Sequence, residues 1–249
     1  MKTIKVHDLT LNDQVAKIAV PITGGTTAEI KEQASQINSM APDLVEWRID
    51  FLVELQSANL AFDLKIIRDQ LPMTPIIATI RTSHEGGHFD QDDQTYLQLI
   101  QTLVSLPIDL IDIEVDRPRS IVTTAISAAH STGIEVIGSY HQFQNTPDDH
   151  TLLAKFNQMQ QLGCDIAKVA VMPNDATDTL RLMQISNQAN QTLSIPIISM
   201  AMGKTGMLTR ISTMLTGSII SFASTDQHHQ SAPGQLSFAQ LRTIMQIIN

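Results

Sequence analysis

Only one cysteine, Cys164, stands in the 249 residues, so no disulfide can form within the chain, which suits a reducing compartment. No run of Lys and Arg occurs either, and the formal net charge is −9. A nucleic-acid partner needs a basic surface to neutralise phosphates, so none is expected. No apolar stretch approaches the roughly 18 residues that a membrane-spanning helix requires. The opening segment, MKTIKVHDLTLNDQVAK, lacks the apolar centre of a signal peptide. These absences lead to the expectation of a cytoplasmic protein, with neither membrane nor nucleic acid as partner. No linker or shift in composition divides the chain, so a single domain over 1–249 is expected.

What is present is apolar material for a large core, 43% hydrophobic against 16% charged. It is arranged as short apolar runs alternating with amphipathic segments. Strands are expected at 15–22, 44–49, 75–80, 108–115, 134–140, 166–171, 196–200 and 218–223. Helices are expected at 26–40, 60–71, 94–106, 120–131, 149–162, 175–191, 204–215 and 237–248. Eight strand-then-helix units in roughly 250 residues point to a closed (β/α)₈ TIM barrel. No G-x-G-x-x-G follows the first strand, which weakens a dinucleotide-binding open sheet. Residues 1–14 precede the first unit and are read as an extension over the barrel's lower end.

In this fold the active site lies where the strands end, so the polar residues there form a test. The sixth strand, DIAKVAVMP, carries Lys168 inside an apolar run. By itself this strand leaves two readings open. The lysine can snorkel to water or pair with a carboxylate. Alternatively, burial disfavours the ammonium and yields a nucleophilic amine able to form an imine with a carbonyl compound. The fifth strand ends in GSYHQF and sets His141 one strand away, placed to move protons. Glu46 and Arg48 lie two apart on the second strand and therefore share a face, where they can pair. The third strand brings Arg81 and Glu85 into the mouth ahead of Gly86 and Gly87. Asp112, Glu114 and Asp116 alternate on the fourth; with no histidine at a ligand spacing, no metal site is assigned. Cys164 is read as a small core residue, and the remaining histidines, including His228 and His229, as loop or surface groups. After the seventh strand, Met200 and Met202 can form an apolar wall and Arg210 can aim at the mouth. Ser231 and Gln235 lie on the long loop after the eighth, which reads as a lid. Arginine suits a carboxylate, and serine and glutamine suit hydroxyls. The ligand expected is a polyhydroxylated keto acid.

VEWRID, TIRTSHEGG, SYHQF, DIAKVAVMP, SMAMGKTGMLTR and SAPGQ, in this order, resemble type I 3-dehydroquinate dehydratases of the shikimate pathway. The resemblance runs from about residue 15 to the last helix. It implies dehydration of 3-dehydroquinate to 3-dehydroshikimate by a Schiff-base syn elimination, without a cofactor, in a homodimer. It assigns Lys168 as the imine-forming lysine, His141 as general acid and base, and Glu85 as a carboxylate that sets up the site. Glu46, Arg48, Arg81, Arg210, Ser231 and Gln235 correspond to substrate-binding positions. The first strand departs from the pattern, with Pro21 and Thr23 where some members carry a serine. Lys204 is a second lysine nearby, but it opens a helix instead of lying inside an apolar strand. The alternatives weighed are a lysine-dependent aldolase on the same fold and a non-catalytic keto-acid-binding protein.

Overall fold

The computed structural model describes residues 2–226 and 231–248. The chain opens with an antiparallel hairpin, β1 (Ile4–Val6) and β2 (Leu9–Leu11). Eight parallel strands follow: β3 (Lys17–Ile22), β4 (Leu44–Arg48), β5 (Ile76–Thr79), β6 (Leu110–Glu114), β7 (Glu135–Gln142), β8 (Ile166–Val171), β9 (Ile197–Ala201) and β10 (Ile220–Phe222). They pair in chain order, β10 lies beside β3, and a bridge from Ile197 to Ser218 brings the two ends of the sheet together. The result is the (β/α)₈ barrel.

Helices α1 (Thr27–Met40), α2 (Ser57–Gln70), α3 (Asp93–Leu103), α4 (Arg119–Ser131), α5 (Asp149–Leu162) and α6 (Ala176–Thr192) separate the strands. The caps are legible in the sequence. Thr26 and Glu29 form a reciprocal capping box at α1, and Asp92, Asp148 and Asp175 accept backbone N–H groups at α3, α5 and α6. The single helix expected over 204–215 is instead two, α7 (Gly203–Ile211) and α8 (Thr213–Thr216), because Ser212 leaves helical geometry with ψ at 32°. A last helix, α9 (Phe238–Ile248), covers the outside.

Alternation along the strands sorts the side chains into two clusters. Val20, Val45, Trp47, Ala78, Ile111, Ile113 and Val169 face the helices and make the larger core. Cys164 belongs to it, packed where Gly138 leaves room, and burial pushes its thiol up to about 12. The inward set climbs the barrel in layers. The lowest is apolar: Ala19, Leu44, Ile77, Leu110, Ile137, Ile166, Ile198 and Ile220, joined from below by Ile4, Val6 and Leu11 of the hairpin. Two residues further along, the same faces carry Glu46, Thr79, Asp112, Ser139, Lys168, Met200 and Phe222. One step higher stand Arg48, Arg81, Glu114, His141 and Met202. The polar residues are thus stacked above a dry floor, from the middle of the strands to their C-terminal ends.

Candidate active site

Lys168 is central in β8 and only 3% exposed. Its Nζ donates to Asp112 Oδ2 at 2.8 Å and lies 3.7 Å from Glu46 Oε1. The Phe222 ring centroid is 4.6 Å from the same nitrogen. The apolar wall expected around this amine is present in Met200, Met202, Ala170 and Phe222, all facing the pocket. A carboxylate nevertheless faces the nitrogen as well. β6 and β8 flank β7, whose inward residue between them is the small Ser139, so Asp112 and Lys168 meet across the barrel. The two readings of the strand, buried amine and carboxylate partner, therefore coexist.

Asp112 is fully buried and accepts from Arg81 NH2 at 2.7 Å, Ser139 Oγ at 2.5 Å and Lys168. Burial alone disfavours its ionisation, but the cations of Arg81 and Lys168 outweigh that and hold its carboxyl well below the usual range. Arg81 also donates from NH1 to Glu114 at 3.0 Å, to Ser139 Oγ at 3.0 Å and to Glu85 at 3.3 Å. Glu114 further accepts from the backbone and hydroxyl of Thr82, locking the start of the loop after β5.

That loop carries Glu85, whose Oε2 is 2.7 Å from His141 Nδ1. Its curvature depends on glycine at two points. Gly86 has φ at +80°, and a Cβ on Gly87 would stand 2.1 Å from the Arg81 carbonyl oxygen. Glu85 occupies Nδ1 of the imidazole and leaves Nε2 for the pocket. Burial, with Glu114 nearby, pushes the Glu85 carboxyl up, while burial and the charges of Arg81 and Lys168 push His141 well below the ordinary imidazole value. Both members of the pair are driven toward neutrality.

Arg48 does not pair with Glu46 as their shared face implied. It grips Asp50 with two bonds, at 2.8 and 2.7 Å, and Glu46 instead accepts from Thr79 Oγ1 at 2.9 Å. The spacing of two applies equally to Asp50, which the 3₁₀ turn Ile49–Phe51 folds back toward the strand end. Asp50 is a polar site residue that strand-end reasoning missed, and Asp112 was placed on the face of the fourth strand without a role of its own. Asp112 sits mid-strand, where a carboxylate between isoleucines is most simply read as part of a network.

One pocket is lined by Glu46, Arg48, Arg81, Glu85, His141, Lys168, Ser231 and Gln235 together. Gln235 accepts from the Ser231 backbone N–H at 2.9 Å and donates to its hydroxyl at 3.0 Å. Arg210 stands just behind this lining, 2% exposed, with NH1 3.5 Å from the Phe222 carbonyl and NH2 3.3 Å from that of Pro233. Its Nε, also buried, meets no partner among the described residues, and burial pushes its guanidinium down to about 10. Lys204 is exposed on α7 and outside the pocket, as are His130 and His150. His84 and His88 are exposed too, while residues 227–230 of the loop read as a lid, with His228 and His229, lie outside the described residues.

A lysine, a histidine and two arginines in one pocket, with a third arginine behind it, toward the C-terminal ends of eight parallel strands, define a (β/α)₈-barrel enzyme acting on a small anionic substrate. The type I 3-dehydroquinase signature matches residues 18–249, and the chain belongs to that family, the lyases of the shikimate pathway. A 3-dehydroquinate dehydratase of Listeria monocytogenes serotype 4b (strain F2365) is 35% identical, the match covering 100% of this chain and 99% of the relative. The structure of 3-dehydroquinate dehydratase from Geobacillus kaustophilus HTA426 superposes with a TM-score of 0.95 at 33% identity, over 99% of this chain and 96% of that one. The Clostridium difficile type I enzyme, solved with covalently modified comenic acid, gives 0.95 at 29% identity, over 100% and 98% of the two chains.

Proposed function

We propose that the enzyme dehydrates 3-dehydroquinate to 3-dehydroshikimate through an imine on Lys168, with His141 moving the protons. The observation that carries this reading is the buried Lys168 amine in the same pocket as His141, itself held by Glu85 at 2.7 Å. The amine attacks the ketone, the carbinolamine loses water, and the protonated imine acidifies the neighbouring C–H. His141 Nε2 removes that proton and leaves an enamine, which expels the hydroxyl on the carbon bearing the carboxylate as His141 returns a proton to it. Water, activated by the same imidazole, then frees the product and restores the lysine. The chain's own amine serves as electron sink, so the steps call for neither a metal nor an organic cofactor. Borohydride added with 3-dehydroquinate should reduce the imine and mark Lys168 in a peptide map. A label on another residue, or none, overturns the reading. Carbon–carbon cleavage in place of an ultraviolet-absorbing enone would favour the aldolase alternative.

Substrate binding follows from the cations that keep donors in hand. Among the described residues, Arg210 has a buried Nε with no partner and meets only neutral acceptors through its other nitrogens, so it suits the substrate carboxylate. Ser231, Gln235, Glu46 and Arg48 line the same space for the hydroxyls. Arg210→Ala is expected to raise KM about 10- to 100-fold, the equivalent of one charge-assisted hydrogen bond of roughly 1.5–3 kcal/mol, with a smaller change in kcat. Unchanged KM with collapsed kcat would remove the anchoring role. The same reading places the enzyme in the cytoplasm as a homodimer; sedimentation at the mass of a single chain would overturn the dimer.

A further inference from the structure

Among the described residues, Asp112 is the carboxylate closest to the Lys168 nitrogen, at 2.8 Å, against 3.7 Å for Glu46. It is 0% exposed, and its other oxygen is held by two donors, Arg81 and Ser139. A carboxylate fixed on both oxygens cannot swing away when substrate enters. We infer that Asp112 is the fixed counter-charge of the reacting nitrogen, facing it as ammonium before attack and as protonated imine afterwards.

This rests on the Schiff-base reading and follows from its balance. A ketone and an ammonium give a protonated imine and one water. The carbonyl C=O breaks, a C=N forms, and two of the three ammonium protons end on the departing oxygen. One positive charge is on the nitrogen at the start and one at the end. A negative charge built into the scaffold therefore matches both states without rearranging, which is how preorganised electrostatics lowers a barrier. The travelling protons need a different carrier, and His141 is the pocket base. Asp112 stays ionised between Arg81 and Lys168, so it does not compete for them. Its setting differs from that of Glu85, whose carboxyl is pushed up by burial and by the nearby charge of Glu114 and stands against the imidazole.

Among the described residues, the charged and titratable groups around the pair are Glu46 and Arg48 on β4, Arg81 at the end of β5, Glu85 on the following loop, Glu114 on β6 itself and His141 on β7. Asp112→Asn keeps the shape and an acceptor but removes the charge. It is expected to lower kcat by on the order of 10²-fold, the usual loss for one preorganised electrostatic contact. Borohydride trapping at saturating 3-dehydroquinate supplies a second readout: without the charge, the Asn variant should accumulate less adduct on Lys168. Asp112→Glu retains the charge and should recover the adduct and part of kcat. A purely structural aspartate would lower the melting temperature in both variants without separating their adduct yields. Equal adduct yield and equal kcat in the Asn and Glu variants would overturn the inference. Should the Asn variant not fold, loss of the adduct in the Glu variant overturns it. The parent enzyme run alongside keeps the outcomes apart: without a Lys168 adduct there the imine reading itself falls, whereas a normal parent adduct with an undiminished Asn variant removes only the counter-charge.

Discussion

Lys168→Ala should abolish the borohydride-reducible adduct and lower turnover by at least about 10⁴-fold, as expected when a covalent nucleophile that acts as a unit with its base is removed. Among the described residues, no other amine lines the pocket. Lys204, the one lysine close in sequence on the mouth side, is exposed on α7 and does not line the pocket. The variant also leaves Asp112 with one cation fewer. Removing one partner of a buried ion pair costs about 3–5 kcal/mol, although Arg81 still neutralises this carboxylate. Stability and activity must therefore be separated. Lys168→Met, which fills the same volume without a charge, provides the comparison. Both variants should be inactive while differing in melting temperature. Residual turnover with an adduct mapped to Lys204 would overturn the assignment of the nucleophile.

His141→Ala is expected to split the reaction at its middle. Imine formation loses its proton carrier but keeps the amine and the pocket, so some adduct should still be trapped. The C–H abstraction needs a base, and losing a positioned general acid and base costs about 10²- to 10⁴-fold in kcat. Trapping without turnover is the signature. The parent enzyme's pH profile supplies a second check with a defined sign. Burial, helped by Arg81 and Lys168, lowers the proton affinity of His141. The imidazole thus remains a base below the ordinary value of about 6.5. The limb of kcat/KM that this group controls should appear as activity falling with falling pH, centred below 6.5, and His141→Ala should erase it. A limb centred at or above 6.5 that persists in His141→Ala would belong to another group and would refute this role.

Both results bear on how much of the site could be read before any coordinates. The fold was legible because each strand is a short apolar run and several helices open on a side-chain cap, as at Thr26, Asp92, Asp148 and Asp175. The mouth residues were legible for a related reason. Alternation fixes which side chains turn inward, and the barrel places the active site at the strand ends. Lys168, His141, Glu85, Arg81, Arg48 and Glu46 all follow from that rule and line one pocket. Where two helices replaced the one expected, near Ser212, the apolar periodicity runs across the break and gives no sign of it.

The sequence by itself determined the alternation of elements, the inward face of every strand and the kinds of group that face presents. Only the tertiary structure decided which of them touch. Arg48 took Asp50 in place of Glu46, Lys168 took Asp112 from two strands away, and Arg210 was set behind the pocket lining. The physical reason is that periodicity assigns a direction to a side chain, whereas a partner depends on barrel stagger, on how small the intervening residue is, and on which loops fold back over the rim.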